Sequence, residues 1–292
     1  MKRAEIAATL LLALAWTTPA RAASYAVGPQ YDTTHVYVSP SDFDRFTASY
    51  MATFGGGSTS PQGVTQVTPT PSQTISQLVF SQAGNVSVFG FKTPIPYPFG
   101  TERTGYLAND FDGAVRAARA AGASVLVAPF PDPIGRDAVI TWPGGVNMQL
   151  YWHKVPPTYK PLAMVPENRI YVSPDAVNNF IRDWVTFSGG RVVSDNPKAS
   201  GAEIGRPGDT YRRVRIESLF GKMTVFVTDG HLPYPFGIEK TGYEVANLDE
   251  TLTRAKSAGV AILVQPFVTD GRRETIAQFP GGYVAEIHAN IK

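Results

Sequence analysis

The sequence predicts an α+β fold of four β-α-β-β-β units, with helices along the outer face of curled mixed sheets. Three observations predict it. A long segment recurs later in the chain in nearly constant register. Each copy reads twice through the order strand, helix, three strands. Prolines and glycines punctuate those elements at matching places in both copies.

The repeat is explicit in the residues. Pro96-Tyr97-Pro98-Phe99-Gly100 recurs as Pro233-Tyr234-Pro235-Phe236-Gly237, an offset of 137. The same offset carries Glu102 to Glu239, Thr104-Gly105-Tyr106 to Thr241-Gly242-Tyr243, and Pro143-Gly144-Gly145 to Pro280-Gly281-Gly282. Upstream, His35–Pro40 matches Arg169–Pro174 at an offset of 134, so copy two holds three more residues between these blocks. The copies run over 31–153 and 167–292. Between them, 154–166 carries Pro156, Pro157, Pro161 and Pro166 and reads as a stiff linker.

Within copy one, His35–Ser39 is β-rich and alternating, which predicts a strand. Ser39-Pro40-Ser41-Asp42 opens a helix whose Phe43, Phe46, Tyr50 and Met51 share one side, and Gly55-Gly56-Gly57 ends it. Gln77–Phe80 and Val86–Phe91 predict strands. The order then restarts with a short strand, Tyr106–Ala108. A helix over Phe111–Ala121 follows, capped by Asp110 and stopped at Gly122. Val125–Ala128, Ala138–Trp142 and Asn147–Trp152 predict the last strands.

The start of the chain predicts export. Met1-Lys2-Arg3, the apolar run Ile6–Trp16 and Ala20-Arg21-Ala22 read as a signal peptide over 1–22, cut after Ala22. The run of eleven apolar residues falls short of the ~20 that span a bilayer. A periplasmic or secreted protein is expected, with no membrane association after cleavage. The 26 basic residues nearly balance the 24 acidic ones, which argues against a nucleic-acid face. With no cysteine, disulfides, thiol chemistry and cysteine-bound zinc are excluded. The glycines at Gly55–Gly57 lack a following Gly-Lys-Ser/Thr, so no phosphate loop is present, and no Gly-x-Ser-x-Gly elbow occurs.

The second unit of each copy carries the most specific pattern. A helix ending in Ala-Gly precedes a strand ending in Pro. Then come Gly135-Arg136-Asp137 and Trp142-Pro143-Gly144-Gly145, matched by Arg273-Glu274 and Phe279-Pro280-Gly281-Gly282. In this order and repetition the chain resembles the vicinal oxygen chelate superfamily, which includes glyoxalases, extradiol dioxygenases, epimerases and bleomycin-binding resistance proteins. The resemblance covers nearly all of the chain after residue 22. It implies that the units pair within each copy into two glyoxalase-like domains, each a cup. It also implies one divalent metal, iron, manganese, nickel or zinc, held by His, Glu or Gln from the first and last strands of the paired units.

Carried over residue by residue, the resemblance places His35 and Gln149 at the first- and last-strand ligand positions of copy one. Tyr106 stands where a second histidine would follow Gly105, and no ligand falls at Ser87–Phe89. In copy two Glu286 matches the last-strand glutamate, Arg169 replaces the histidine, and Tyr243 follows Gly242. Neither copy holds the full ligand set. Tyr106, Arg169 and Tyr243 are candidate substrate-binding residues, Arg169 for a carboxylate or other anion. His35 reads equally as a metal ligand or general base and as a hydrogen-bonded structural histidine. Glu286 and His288, two apart on a strand, would share a sheet face as an acid–base pair, half a metal site or a plain ion pair. The PYPFG loops read mainly as crossover supports. A second reading closes Tyr97, Phe99, Tyr234 and Phe236 over a ligand and leans Glu102 and Glu239 into the cups.

Two functions remain, and a third reading keeps one copy active and the other for packing. One is an exported metal-assisted enzyme acting on a small oxygenated or aromatic molecule, through His35 and Gln149 or through Glu286 and His288. The other is a non-catalytic binding protein holding a small molecule in an aromatic cup. Convergence of three donors favours the first, and an aromatic cup with isolated polar groups favours the second.

Overall fold

A computed structural model of the chain describes residues 25–28, 33–158 and 166–291. The signal peptide expected over 1–22 lies outside these residues, as does 159–165 of the expected linker. Copy one runs β1 (Thr33–Val38), α1 (Phe43–Phe54), β2 (Gly57–Ser58), β3 (Thr74–Phe80) and β4 (Asn85–Phe91). Its second unit is β5 (Thr104–Leu107), α2 (Phe111–Ala120), β6 (Ser124–Pro131), β7 (Gly135–Trp142) and β8 (Val146–His153). Copy two repeats the plan with β9 (Glu167–Val172), α3 (Val177–Ser188), β10 (Arg191–Ser200), β11 (Thr210–Ser218) and β12 (Gly221–Val227). It closes with β13 (Lys240–Glu244), α4 (Leu248–Ser257), β14 (Ala261–Thr269), β15 (Arg272–Gln278) and β16 (Val284–Asn290). The four units and four helices are those the sequence predicts.

The helix starts show why the chain breaks where it does. Asp110 accepts from the Gly113 amide at 2.9 Å, and Asn247 accepts from Glu250 at 3.2 Å, each satisfying an amide that the helix leaves unpaired. Asp42 sits at the α1 N-cap without a side-chain cap bond; its carboxylate instead accepts from the Ser39 hydroxyl.

Each copy forms one eight-stranded mixed sheet, in the orders β2-β3-β4-β1-β5-β8-β7-β6 and β10-β11-β12-β9-β13-β16-β15-β14. The central pairs β4–β1 and β5–β8 are parallel, and β1–β5 is antiparallel. One curled sheet therefore makes one cup within each copy. The helical faces do the opposite and pack across the copies. One core joins Phe111, Trp142 and Leu150 of copy one to Phe180, Trp184 and Val225 of copy two. A second large core joins Phe46, Tyr50 and Val88 to Tyr243, Leu252 and Phe279.

The Pro-Gly-Gly turns clamp this arrangement. Gly144 and Gly281 have positive φ, 88° and 85°. A Cβ on Gly144 would lie 2.8 Å from Val172, and one on Gly281 2.7 Å from Val38. The last hairpin of each copy thus abuts the first strand of the other, so these glycines serve both turn geometry and close packing.

Candidate functional site: one open cup and one filled cup

Alternation along the strands decides which side chains face each cup. In copy one, β1 sends His35 and Tyr37 inward, β4 sends Ser87 and Phe89, and β8 sends Gln149 and Tyr151; all line a cavity of about 260 Å³. Asp137 of β7, Phe99 of the PYPFG loop and His153 line it as well. The rings of Tyr37 and Phe89 stack at 5.3 Å, with Phe91 6.1 Å from Tyr37. Glu102 is fully buried beside them, accepts from the Tyr37 hydroxyl and lies 3.4 Å from His35 Nδ1. Its second oxygen, Oε2, has no protein hydrogen-bond partner. Burial above all, then Asp132 and Glu102, hold the Asp137 carboxyl well above its ordinary range, against a hydrogen bond from Gln149.

Gly105 faces this cup. A Cβ there would lie 2.5 Å from His35 Nε2 and 3.1 Å from Tyr151. Its neighbour Tyr106 must then point the other way, and it packs between Trp184 and Phe220 at 5.5 and 5.2 Å. Tyr243 does the same after Gly242, buried against Tyr50 and bonded to Tyr283 at 2.8 Å. The substrate-binding role expected for Tyr106 and Tyr243 is corrected accordingly. The inward residue at each of these positions is the glycine, one residue earlier.

The second cup is filled by charge. Arg169 Nη atoms lie 3.4 Å from Glu274, 3.5 Å from Glu167 and 3.6 Å from Glu286. Arg272 meets Glu167 at 2.7 Å, and Arg213 meets Asp270 at 2.7 Å and Glu203 as well. Burial opposes the charge on Arg169, but Glu274, Glu286 and Glu167 together raise its pKa above the ordinary value. Arg169, expected to await an anion, is thus already satisfied by the chain's own carboxylates. Lys240 sits 5.0 Å over the Tyr171 ring, and burial, reinforced by Arg169, lowers it to about 7. Glu286 accepts from His288 Nδ1 at 2.9 Å, the pair expected from their spacing.

No protein-family model matches the chain, and no curated protein matches it in sequence. Solved structures match it in shape. A mutant of 4-hydroxymandelate synthase from Streptomyces coelicolor superimposes with a TM-score of 0.62 at 13% identity, covering 92% of this chain and 94% of that one. The Mn(II)-bound glyoxalase from Novosphingobium aromaticivorans gives 0.55 at 13% identity, over 92% and 84%. The 2,3-dioxygenase LapB from Pseudomonas sp. KL28 gives 0.55 at 11%, over 92% and 94%. The chain shares the fold of these structures, and at these identities the likeness is one of fold.

Whether the superfamily's metal fits depends on the donors present. Among the described residues one group of three His, Asp or Glu donors converges: Glu167, Glu286 and His288, with ligand atoms within 4.8 Å of one another. The donor types suit a divalent ion, but the charge does not. Arg169 and Arg272 already neutralise these carboxylates at 2.7–3.6 Å, and a dication there would face two guanidiniums. In the first cup, glycine stands at the inward position between His35 and Gln149, and His35 fills the space a side chain would need. One imidazole and one amide oxygen make a weak set. Neither cup, as it stands, fits the metal.

Sequence reading passes over two of the first cup's groups, Asp137 as part of a fold motif and Phe89 as a strand residue, while Glu102 enters through the second reading of the PYPFG loop. The signal that could have found them is the comparison of the copies with each other: Asp137 aligns with Glu274, and His35 with Arg169. Arg136 and Arg273 make matching surface pairs with Asp112 and Asp249.

Proposed function

We propose that the protein binds a small organic molecule in its first cup without a metal, and that its second copy completes the fold. The contrast between the cups carries this reading. The same sheet leaves an aromatic cavity of about 260 Å³ in copy one and is plugged by ion pairs around Arg169 in copy two. A concave pocket in which apolar and aromatic side chains surround placed polar groups is the usual form of a small-molecule site. We also propose that it acts after export, in the periplasm or outside the cell, on the strength of residues 1–22.

A second reading, a metal-free enzyme, has one observation in its favour. His35 faces the cavity with Glu102 against its Nδ1, the arrangement that orients an imidazole as a general base.

The test is a thermal-shift screen of small aromatic and oxygenated compounds against the mature wild type and Ser87→Trp, which fills the cavity. Hits that stabilise wild type and not Ser87→Trp support the binding site. Hits that persist in Ser87→Trp, or a screen with none, overturn it. Turnover of a hit, lost in His35→Gln with binding retained, moves the protein to the second reading.

A further inference from the structure

We propose that the first cup takes a small organic cation, an ammonium or guanidinium on an apolar body, with its charge held between the Asp137 carboxylate and the ring of Phe89. This rests on the small-molecule reading above and names the class of ligand.

The argument comes from the second copy. There the Arg169 guanidinium carbon lies 4.8 Å over the Phe226 ring, and Arg169 Nη2 is 3.4 Å from Glu274 Oε1. A buried carboxylate, an aromatic face and a cation form one unit. The carboxylate and the ring recur in the first copy. Phe226 is the register partner of Tyr171, and Phe89 that of Tyr37. Glu274 pairs with His288 on the last strand, and Asp137 pairs with Tyr151 at the matching place. The cation does not recur, because His35 stands where Arg169 stands. Asp137 and Phe89 both line the first cavity.

The charges around that space agree. Its lining includes Asp132 and Asp137 and no lysine or arginine. Of the histidines, His153 is pushed down by burial and so held neutral, while His35 lies against Glu102. Arg103, the counterpart of Lys240, acts on Tyr37 and Glu239 and does not line the cavity. An ionised carboxylate buried without a counter-charge is costly, and burial holds the Asp137 carboxyl well above its ordinary range. A cationic guest supplies the missing charge, Asp137 releases its proton to solvent, and the aromatic faces add cation–π attraction. An anion would find no lysine or arginine in this lining to pair with.

The test uses probes matched in shape: benzylguanidinium, its neutral isostere benzylurea, and the anion phenylacetate, titrated calorimetrically into the mature protein. Benzylguanidinium is expected to bind at least tenfold tighter than benzylurea, to bind tighter as pH rises from 5 to 8, and to release a proton. Asp137→Asn is expected to remove that preference, bringing benzylguanidinium to no tighter than benzylurea in the same variant. His35→Arg, which installs the copy-two cation, is expected to abolish benzylguanidinium binding. Benzylurea or phenylacetate binding as tightly as benzylguanidinium, with Ser87→Trp blocking it, would overturn the cation class and leave the cup as a site. Binding that Ser87→Trp does not affect, or none by any probe, would overturn the class and the cup together.

Discussion

Arg169 and Glu286 meet across the second cup, 3.6 Å apart, from strands separated by β13. Glu274 and Glu167 face the same guanidinium. Removing one partner of a buried ion network leaves the rest uncompensated, at a cost of about 3–5 kcal/mol. Arg169→Met is expected to lose stability on that scale in chemical denaturation at pH 7. Without the guanidinium the glutamates hold their protons to higher pH in the folded state than in the unfolded one. The variant's deficit should therefore be smaller at pH 5 than at pH 7. A deficit independent of pH would show that the network does not depend on Arg169.

If guanidinium charge keeps a metal out of this cup, its removal should let one in. Wild type purified without a metal-affinity tag is expected to carry substoichiometric divalent metal by mass spectrometry. The double variant Arg169→His, Arg272→Gln keeps Glu167, Glu286 and His288 and adds an imidazole. It is expected to take up about one zinc or manganese per chain. Stoichiometric metal in wild type would refute the charge argument.

Glu239 lies where the copies meet, beside Asn168, Arg103 and Glu102, with Oε1 enclosed and without a hydrogen-bond partner. Burial raises its pKa to about 8, against the pull of Arg103. Between pH 4.5 and 8 the folded state then binds a proton that the unfolded state has lost, so this group's contribution falls as pH rises. Glu239→Gln is expected to flatten the stability profile over that window. Lys240, lowered to about 7, acts in the opposite sense above pH 7, where stability should rise with pH, and Lys240→Met should remove that rise. Profiles unchanged by either substitution would exclude these groups as its source.

Because the two large hydrophobic cores draw on both copies, the chain is expected to unfold in one cooperative transition. Trp184→Ala should lower stability by about 3–5 kcal/mol, since Trp184 packs against Tyr106 and Trp142 of the other copy. Residues 31–153 expressed alone should expose both helical faces and aggregate. Two separate calorimetric transitions in the full chain would contradict this.

The internal repeat and its strand–helix order determined the four units and the fold, because local periodicity and turn residues act over short stretches of chain. Arg169, Glu286 and His288 were legible as candidates, whereas Glu167, which joins Glu286 and His288 in the convergent donor group among the described residues, was not. Tertiary structure decided the rest. Whether the inward residue is Gly105 or Tyr106 depends on strand register, and a shift of one residue reverses every side chain. That α1 packs on α4 of the other copy as well as on its own sheet, and that Glu274 and Glu286 close around Arg169 while Asp137 has no guanidinium, depends on contacts between residues about a hundred or more positions apart. No local pattern encodes such contacts. They form only when two curled sheets bury their helical faces against each other, leaving one cup filled and the other open.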